Sequence, residues 1–148
     1  MGVQHVSPKE AYDLMVNEGY TYVDVRSVPE FTDGHAAQAV NIPLLHYDED
    51  TGWMVPNDDF LAVVEGNFPK DVKLVVGCQV GQRSAQAAEI LQQAGYTSVY
   101  NVRGGFGGLR DSFGRVIERG WAEIGLPVSY ENGEGVGYES LEAKMKGG

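Results

Sequence analysis

Apolar positions along this chain follow two rhythms that alternate. Ser7-Pro8-Lys9-Glu10 combines a capping-box pattern with proline at the first helical position, and Ala11, Leu14 and Met15 then share one face, which predicts a helix. Gly19 stands where a helix C-terminal cap belongs. Tyr20 to Val25 is β-branched and aromatic and predicts a strand. Ala39 to Ile42 predicts a second, shorter strand; a polar excursion from Tyr47 to Pro56 turns at Asp50-Thr51-Gly52, and Asn57 is placed to cap another helix. Lys73-Leu74-Val75-Val76 is a compact apolar run of the kind a strand shows when both its faces are covered. Ser84 to Ala94 has Ala87, Ile90, Leu91 and Ala94 at helical spacing, with Gly95 as its stop, and is the clearest helix in the chain. Ser98 to Val102 predicts one more strand, which Gly104-Gly105 ends, and Leu109 to Glu123 reads as helical in spite of Gly114.

Strands that alternate with helices predict an α/β fold, with a mainly parallel central sheet of four to five strands flanked by helices. The pattern assigns this domain to residues 1–128. Beyond it, Asn132-Gly133 and two further glycines predict a flexible, acidic C-terminal extension over 129–148, in which Tyr138 to Lys146 has the makings of a short helix. The closing Gly147-Gly148 pair is given no role.

Composition narrows the possible functions. At 148 residues, 43% hydrophobic and 22% charged, the chain has the size and balance of one globular domain. No run approaches the roughly 18 to 20 apolar residues of a membrane helix. A formal charge of −10 disfavours nucleic acid and anionic membranes, which are polyanions that want a basic face. The first ten residues lack a basic segment followed by an apolar core, and Val6 stands where an N-myristoylation pattern wants Ser or Thr. A single cysteine excludes an internal disulfide and any zinc site built from several cysteines. Together these features predict a cytoplasmic protein.

The chemistry concentrates in Cys78-Gln79-Val80-Gly81-Gln82-Arg83-Ser84, between the apolar strand and the clearest helix. A loop that enters a helix from the carboxyl end of a parallel strand presents unpaired backbone N–H groups, and the helix dipole adds partial positive charge. A thiolate gains stability there and becomes a ready nucleophile. Cys78 is the candidate catalytic residue, and Gln79, Val80, Gly81 and Gln82 line the anion cradle. Gly81 permits a tight turn, and Arg83 offers a planar cation suited to sulfonate oxygens. Against this stands the plainer reading of Cys78 as a small hydrophobe packed at a strand end.

The order of these residues resembles the rhodanese, or sulfurtransferase, family, whose active loop often runs Cys-x-x-Gly-x-Arg-Ser. Cys78 to Ser84 fits that pattern without a gap, joined by Asp24-Val25-Arg26, Glu30-Phe31, Gly34-His35, Asn41-Ile42-Pro43 and Gly104-Gly105, so the resemblance spans residues 3 to 128. The chain departs from it at Ala36-Ala37-Gln38, in place of an Ile-Pro-Gly-like turn, and after the double glycine, where Leu109 lies near the position of a usual aromatic.

The resemblance implies transfer of a sulfane sulfur from a small anionic donor such as thiosulfate, through a Cys78 persulfide, to cyanide or a thiol, without metal or organic cofactor. It implies donor steering by Arg83 and by Arg103, and a supporting role for Asp24 and Arg26, with Glu30 an equally suitable partner for Arg26. His35 reads as a packing residue and His5 and His46 as bystanders, while the Trp53-Met54 loop is either a cover for the site or a lid on the core. Two other functions compete. One is a relay or redox-sensing module that takes its persulfide from a partner protein. The less favoured is a Cys-based phosphatase like the cell-cycle dual-specificity enzymes, whose loop is one residue longer; here the Arg follows the Cys by five.

Overall fold

The computed structural model describes residues 2–147, and every strand of its central sheet runs the same way. In chain order the elements are β1 (Gln4–Val6), α1 (Pro8–Glu18), β2 (Thr21–Asp24), α2 (Val28–Thr32), β3 (His35–Ala36), β4 (Val40–Asn41), β5 (Leu45–Tyr47) and β6 (Met54–Pro56). There follow α3 (Phe60–Asn67), β7 (Lys73–Gly77), α4 (Gln82–Gln93), β8 (Ser98–Val102), β9 (Leu109–Arg110), β10 (Val116–Glu118), β11 (Val128–Ser129) and α5 (Tyr138–Gly147). The sheet has the order β1-β8-β7-β2-β4, all pairs parallel.

Local chemistry sets several boundaries. Glu10 N–H donates to Ser7 Oγ at 3.1 Å and Ser7 N–H to Glu10 Oε1 at 2.8 Å, so the predicted capping box closes and fixes the start of α1. Asn57 caps its turn through Oδ1, which accepts from Asp59 N–H at 3.0 Å, and α3 begins at Phe60. Alternate side chains of the sheet serve opposite faces. Val23, Leu74, Val76 and Val99 pack with α3, α4 and α5, while Tyr22, Val75 and Val102 pack with α1 and Trp121. Trp121 is held between the rings of Tyr12 and Tyr22, with centroids at 5.8 and 5.4 Å. Among the described residues, no helix is long and apolar enough to cross a membrane.

Two expectations are corrected. Leu109 to Glu123 is not a helix: β9 and β10 form an antiparallel hairpin, followed by turns around the buried Trp121. The cause is Asp111, whose Oδ1 accepts from the N–H groups of Phe113 and Arg115, both at 2.9 Å. These bonds occupy donors that a helix would use, and Gly114 at φ 81° completes the reversal. The stretch from Ser129 to Tyr138 is likewise not a free linker. β11 pairs with β3, Val136 accepts from Asn41 N–H at 2.9 Å, and Asn132 Nδ2 donates to Thr32 Oγ1 at 3.0 Å. The helix α5 then buries Tyr138 and Leu141 against α3, where Asn67 Nδ2 donates to Leu141 O at 2.9 Å.

Candidate active site

Cys78 follows β7 directly at the carboxyl end of the sheet, and α4 begins four residues later, so the predicted strand, nucleophile and helix meet at one point. Gly81 is the N-cap of α4 at φ 114°. That backbone geometry, which side chains rarely adopt, aims the Gly81 N–H at Cys78 Sγ over 3.1 Å. Among the described residues, the N–H groups of Gln79, Val80, Gln82 and Arg83 meet no protein acceptor. The sulfur therefore receives one backbone donor at a helix N-terminus, beside four amides without protein partners, where negative charge is favoured. Cys78 itself is about 1% exposed, while Val80 and Gln82 reach solvent.

The glycines after β8 hold this loop from behind. Phe106 N–H donates to Cys78 O at 2.8 Å and Gly107 N–H to Gln79 O at 2.9 Å. A Cβ on Gly105 would stand 2.3 Å from Cys78 O, closer than real Cβ atoms come, so the backbones touch only because residue 105 has no side chain.

On the other side, a buried ion pair braces the loop. Arg26 Nη2 lies 2.8 Å from Asp24 Oδ2 and also donates to Gly34 O at 2.8 Å. Its Nη1 donates to Gln79 Oε1 at 3.2 Å, and its guanidinium stacks 4.6 Å from the Phe106 ring centroid. Burial opposes the charge on Arg26, but Asp24 outweighs it and raises the affinity of the guanidinium for its proton. Asp24 and Arg26 thus contact each other and the loop, and Arg26 does not pair with Glu30.

Glu30 pairs instead with Arg83, which sends Nη1 to Oε1 at 2.7 Å and Nη2 to Oε2 at 2.9 Å. Burial alone would raise the Glu30 carboxyl; the bonds from Arg83 and from Ser27 prevail and hold it at about 2, against the usual 4.5. Because its folded value is depressed, its contribution to stability is complete above pH 4.5 and fades as pH falls toward 2. Screening at this part-exposed site reduces that contribution to about 1 to 2 kcal/mol. Glu30→Gln is expected to unfold at lower urea concentration than the parent at pH 6, with the gap closing on acidification to pH 3. A gap that is constant with pH would refute the assignment.

Arg103 lies on the exposed side, where Nε donates to Glu118 Oε1 at 2.6 Å, and it engages the hairpin rather than the Cys78 loop. Trp53 stands 72% exposed directly before β6, where its carbonyl accepts from Asp48 N–H, and it is no lid on the core. His35 stacks on Phe31 at 3.6 Å, with its ring nitrogens against the carbonyls of Ala36 and Glu131, and His46 lies beside Tyr138. No group of three His, Cys, Asp or Glu side chains among the described residues is arranged to hold a metal.

Residues 7–111 match the profile of the rhodanese-like domain, which is well over half of the chain. The chain belongs to the rhodanese-like family. It is 37% identical over 123 residues to thiosulfate sulfurtransferase 16, chloroplastic, of Arabidopsis thaliana, covering 83% of this chain and 90% of that protein. Rhodanese-like domain-containing protein 15, chloroplastic, of the same plant is 38% identical over 114 residues, and there the chain spans 55% of the relative's length. The crystal structure of Rv0390 from M. tuberculosis superposes with a TM-score of 0.72 at 29% identity, covering 88% of this chain and all of that one. The family assignment is to sulfurtransferases in the broad sense.

Within this rhodanese-like domain, two residues with no role in the sequence reading reach the site. Ser84 Oγ is 3.3 Å from Sγ, and Asn101 Oδ1 is 2.5 Å from Ser84 Oγ. Both side chains are buried. A polar residue inside the apolar strand Ser98 to Val102 was the signal for Asn101.

Proposed function

We propose that the chain moves sulfane sulfur from thiosulfate, through a persulfide on Cys78, to cyanide or a small thiol. The observation that carries this reading is Cys78 Sγ at the N-terminus of α4, with Gly81 N–H at 3.1 Å and four neighbouring amides without protein acceptors. The Cys78 thiolate attacks the outer sulfur of thiosulfate; an S–S bond to Cys78 forms, the bond to the sulfonate breaks, and sulfite leaves with the electron pair. The terminal sulfur of the persulfide is anionic and takes the loop amides as its donors. Cyanide or a thiolate then attacks that sulfur, releasing thiocyanate or a persulfidated thiol and restoring the Cys78 thiolate. No step calls for a metal or an organic cofactor. The Cys-to-Arg spacing of five favours one sulfur atom over a tetrahedral phosphoryl group.

One observation supports a second reading, in which a partner protein supplies the sulfur. Arg83 and Arg103, the two cations nominated to hold a sulfonate, are already paired with Glu30 and Glu118. A doubly charged small donor then lacks a free clamp, and its binding would be weak. The test is intact mass spectrometry after exposure to thiosulfate, followed by a thiocyanate assay on adding cyanide. Gain of one sulfur atom and release of thiocyanate support the thiosulfate reading. Gain only from a small persulfide favours the relay, and no gain from either overturns the thiosulfate reading.

A further inference from the structure

A continuous run of hydrogen-bonding side chains joins Cys78 to the protein surface. Ser84 Oγ, in the first turn of α4, lies 3.3 Å from Sγ, 3.2 Å from Gly81 O and 2.5 Å from Asn101 Oδ1, and the shortest of these three contacts takes the hydroxyl hydrogen when the sulfur does not. Asn101 Nδ2, on β8, lies 2.9 Å from Nδ1 of His5, which faces Asn101 in the register of β1 with β8. Ser84 and Asn101 are buried and His5 is exposed, so the run begins at the sulfur and ends at solvent.

The supply of protons makes this run directional. A serine hydroxyl has one hydrogen to give, a neutral imidazole one, and a carboxamide two on nitrogen and none on oxygen. The distances fit an order in which Ser84 donates to Asn101 Oδ1 and Asn101 Nδ2 donates to an unprotonated His5 Nδ1. A neutral thiol completes that order, because its S–H can donate to Ser84 Oγ.

An anionic sulfur has no hydrogen and needs one from Ser84. If Ser84 turns its hydroxyl to the sulfur, its oxygen is free to accept, and Oδ1 of Asn101 would be left facing an oxygen with no proton between them. The carboxamide satisfies both neighbours only by turning over, with its NH2 toward Ser84 and its oxygen toward His5. That oxygen then requires a proton on His5 Nδ1. The run therefore has two self-consistent orders, one for each charge state of the sulfur.

We propose that Asn101 and His5 are positioning residues that set the direction of the Ser84 hydroxyl, so that the tautomer of the His5 ring follows the charge on the Cys78 sulfur. Only the persulfide state invoked here rests on the sulfurtransferase reading; the thiolate state does not.

The test is nitrogen NMR on protein with labelled histidine side chains, held at about pH 9, above the ordinary imidazole range. The His5 signals, among those of His35 and His46, are assigned by their loss in His5→Phe. With Cys78 as thiolate or persulfide, His5 is expected to carry its proton on Nδ1; after alkylation of Cys78 to a neutral thioether, the proton moves to Nε2. Ser84→Ala is expected to abolish this response and Ser84→Thr to restore it. Asn101→Leu and His5→Phe are expected to slow alkylation of Cys78 by about threefold to tenfold, the effect of losing one oriented hydrogen bond to an anion. A His5 tautomer that ignores alkylation, or that responds equally in Ser84→Ala, overturns the proposal. If thiosulfate never loads Cys78 while alkylation still moves the His5 proton, the sulfurtransferase reading falls and the positioning role stands.

Discussion

Cys78→Ser is expected to abolish sulfur uptake from thiosulfate while leaving the fold intact. A serine hydroxyl is far less acidic than a thiol and cannot form a persulfide, so the loss should exceed roughly 10³-fold, as for other enzymes deprived of their nucleophile. The loop amides remain, but they have no sulfur to hold. Stability should change little, by about 1 kcal/mol or less, because Ser is nearly isosteric with Cys and Gly81 N–H and Ser84 Oγ can still bond to it. The pair of measurements is thiocyanate release and the urea midpoint. Sulfur uptake by the Ser variant at the parent rate would remove Cys78 from the reaction.

Arg26→Leu should act on stability first. It would strand the Asp24 carboxylate, which is about 1% exposed and bonds Arg26 through both oxygens. Breaking a buried pair from one side costs about 3 to 5 kcal/mol, because the remaining charge stays desolvated. The same substitution removes the bonds to Gln79 Oε1 and Gly34 O and the stacking on Phe106, so the Cys78 loop loses its brace on that side. The double variant Asp24→Asn with Arg26→Leu should recover part of the stability, since neither charge remains. It should recover less of the sulfur uptake, since the bond to Gln79 stays lost. Urea unfolding of Asp24→Asn, Arg26→Leu and the double variant forms a double-mutant cycle, and a cost of Arg26→Leu below about 1 kcal/mol would show that the pair is not structural.

The two braces differ in how far they could be read from sequence. Asp24 and Arg26 are two residues apart on a strand and its exit, so their pairing is a local event with a local signal. Glu30 and Arg83 are 53 positions apart, and nothing local distinguishes Arg83 as a partner of Glu30 from Arg83 as a clamp for a sulfonate. The helices and sheet strands were legible for the same reason as Asp24 and Arg26: the Ser7 capping box, the apolar run at Leu74 to Val76 and the helical spacing from Ala87 to Ala94 each act within a few residues. The hairpin at β9 and β10 was missed although its signal is also local. Asp111-Ser112-Phe113-Gly114 is turn chemistry, set between apolar residues whose spacing also suits a helix. Residues 129–138 were misjudged because glycine content reports freedom in the unfolded chain, while their bonds go to β3, β4 and Thr32, more than ninety positions away.

Those bonds also close one border of the main sheet. At one border of the main sheet β4 has only two residues, and the Asn41 N–H that would otherwise point outward is already taken by Val136 O. An open strand border is a template onto which another chain can add, the first step toward aggregation. The glycine-rich return from β11 to α5 therefore seals a growth point, and proteolytic trimming of that return would favour self-association before it impaired chemistry at Cys78.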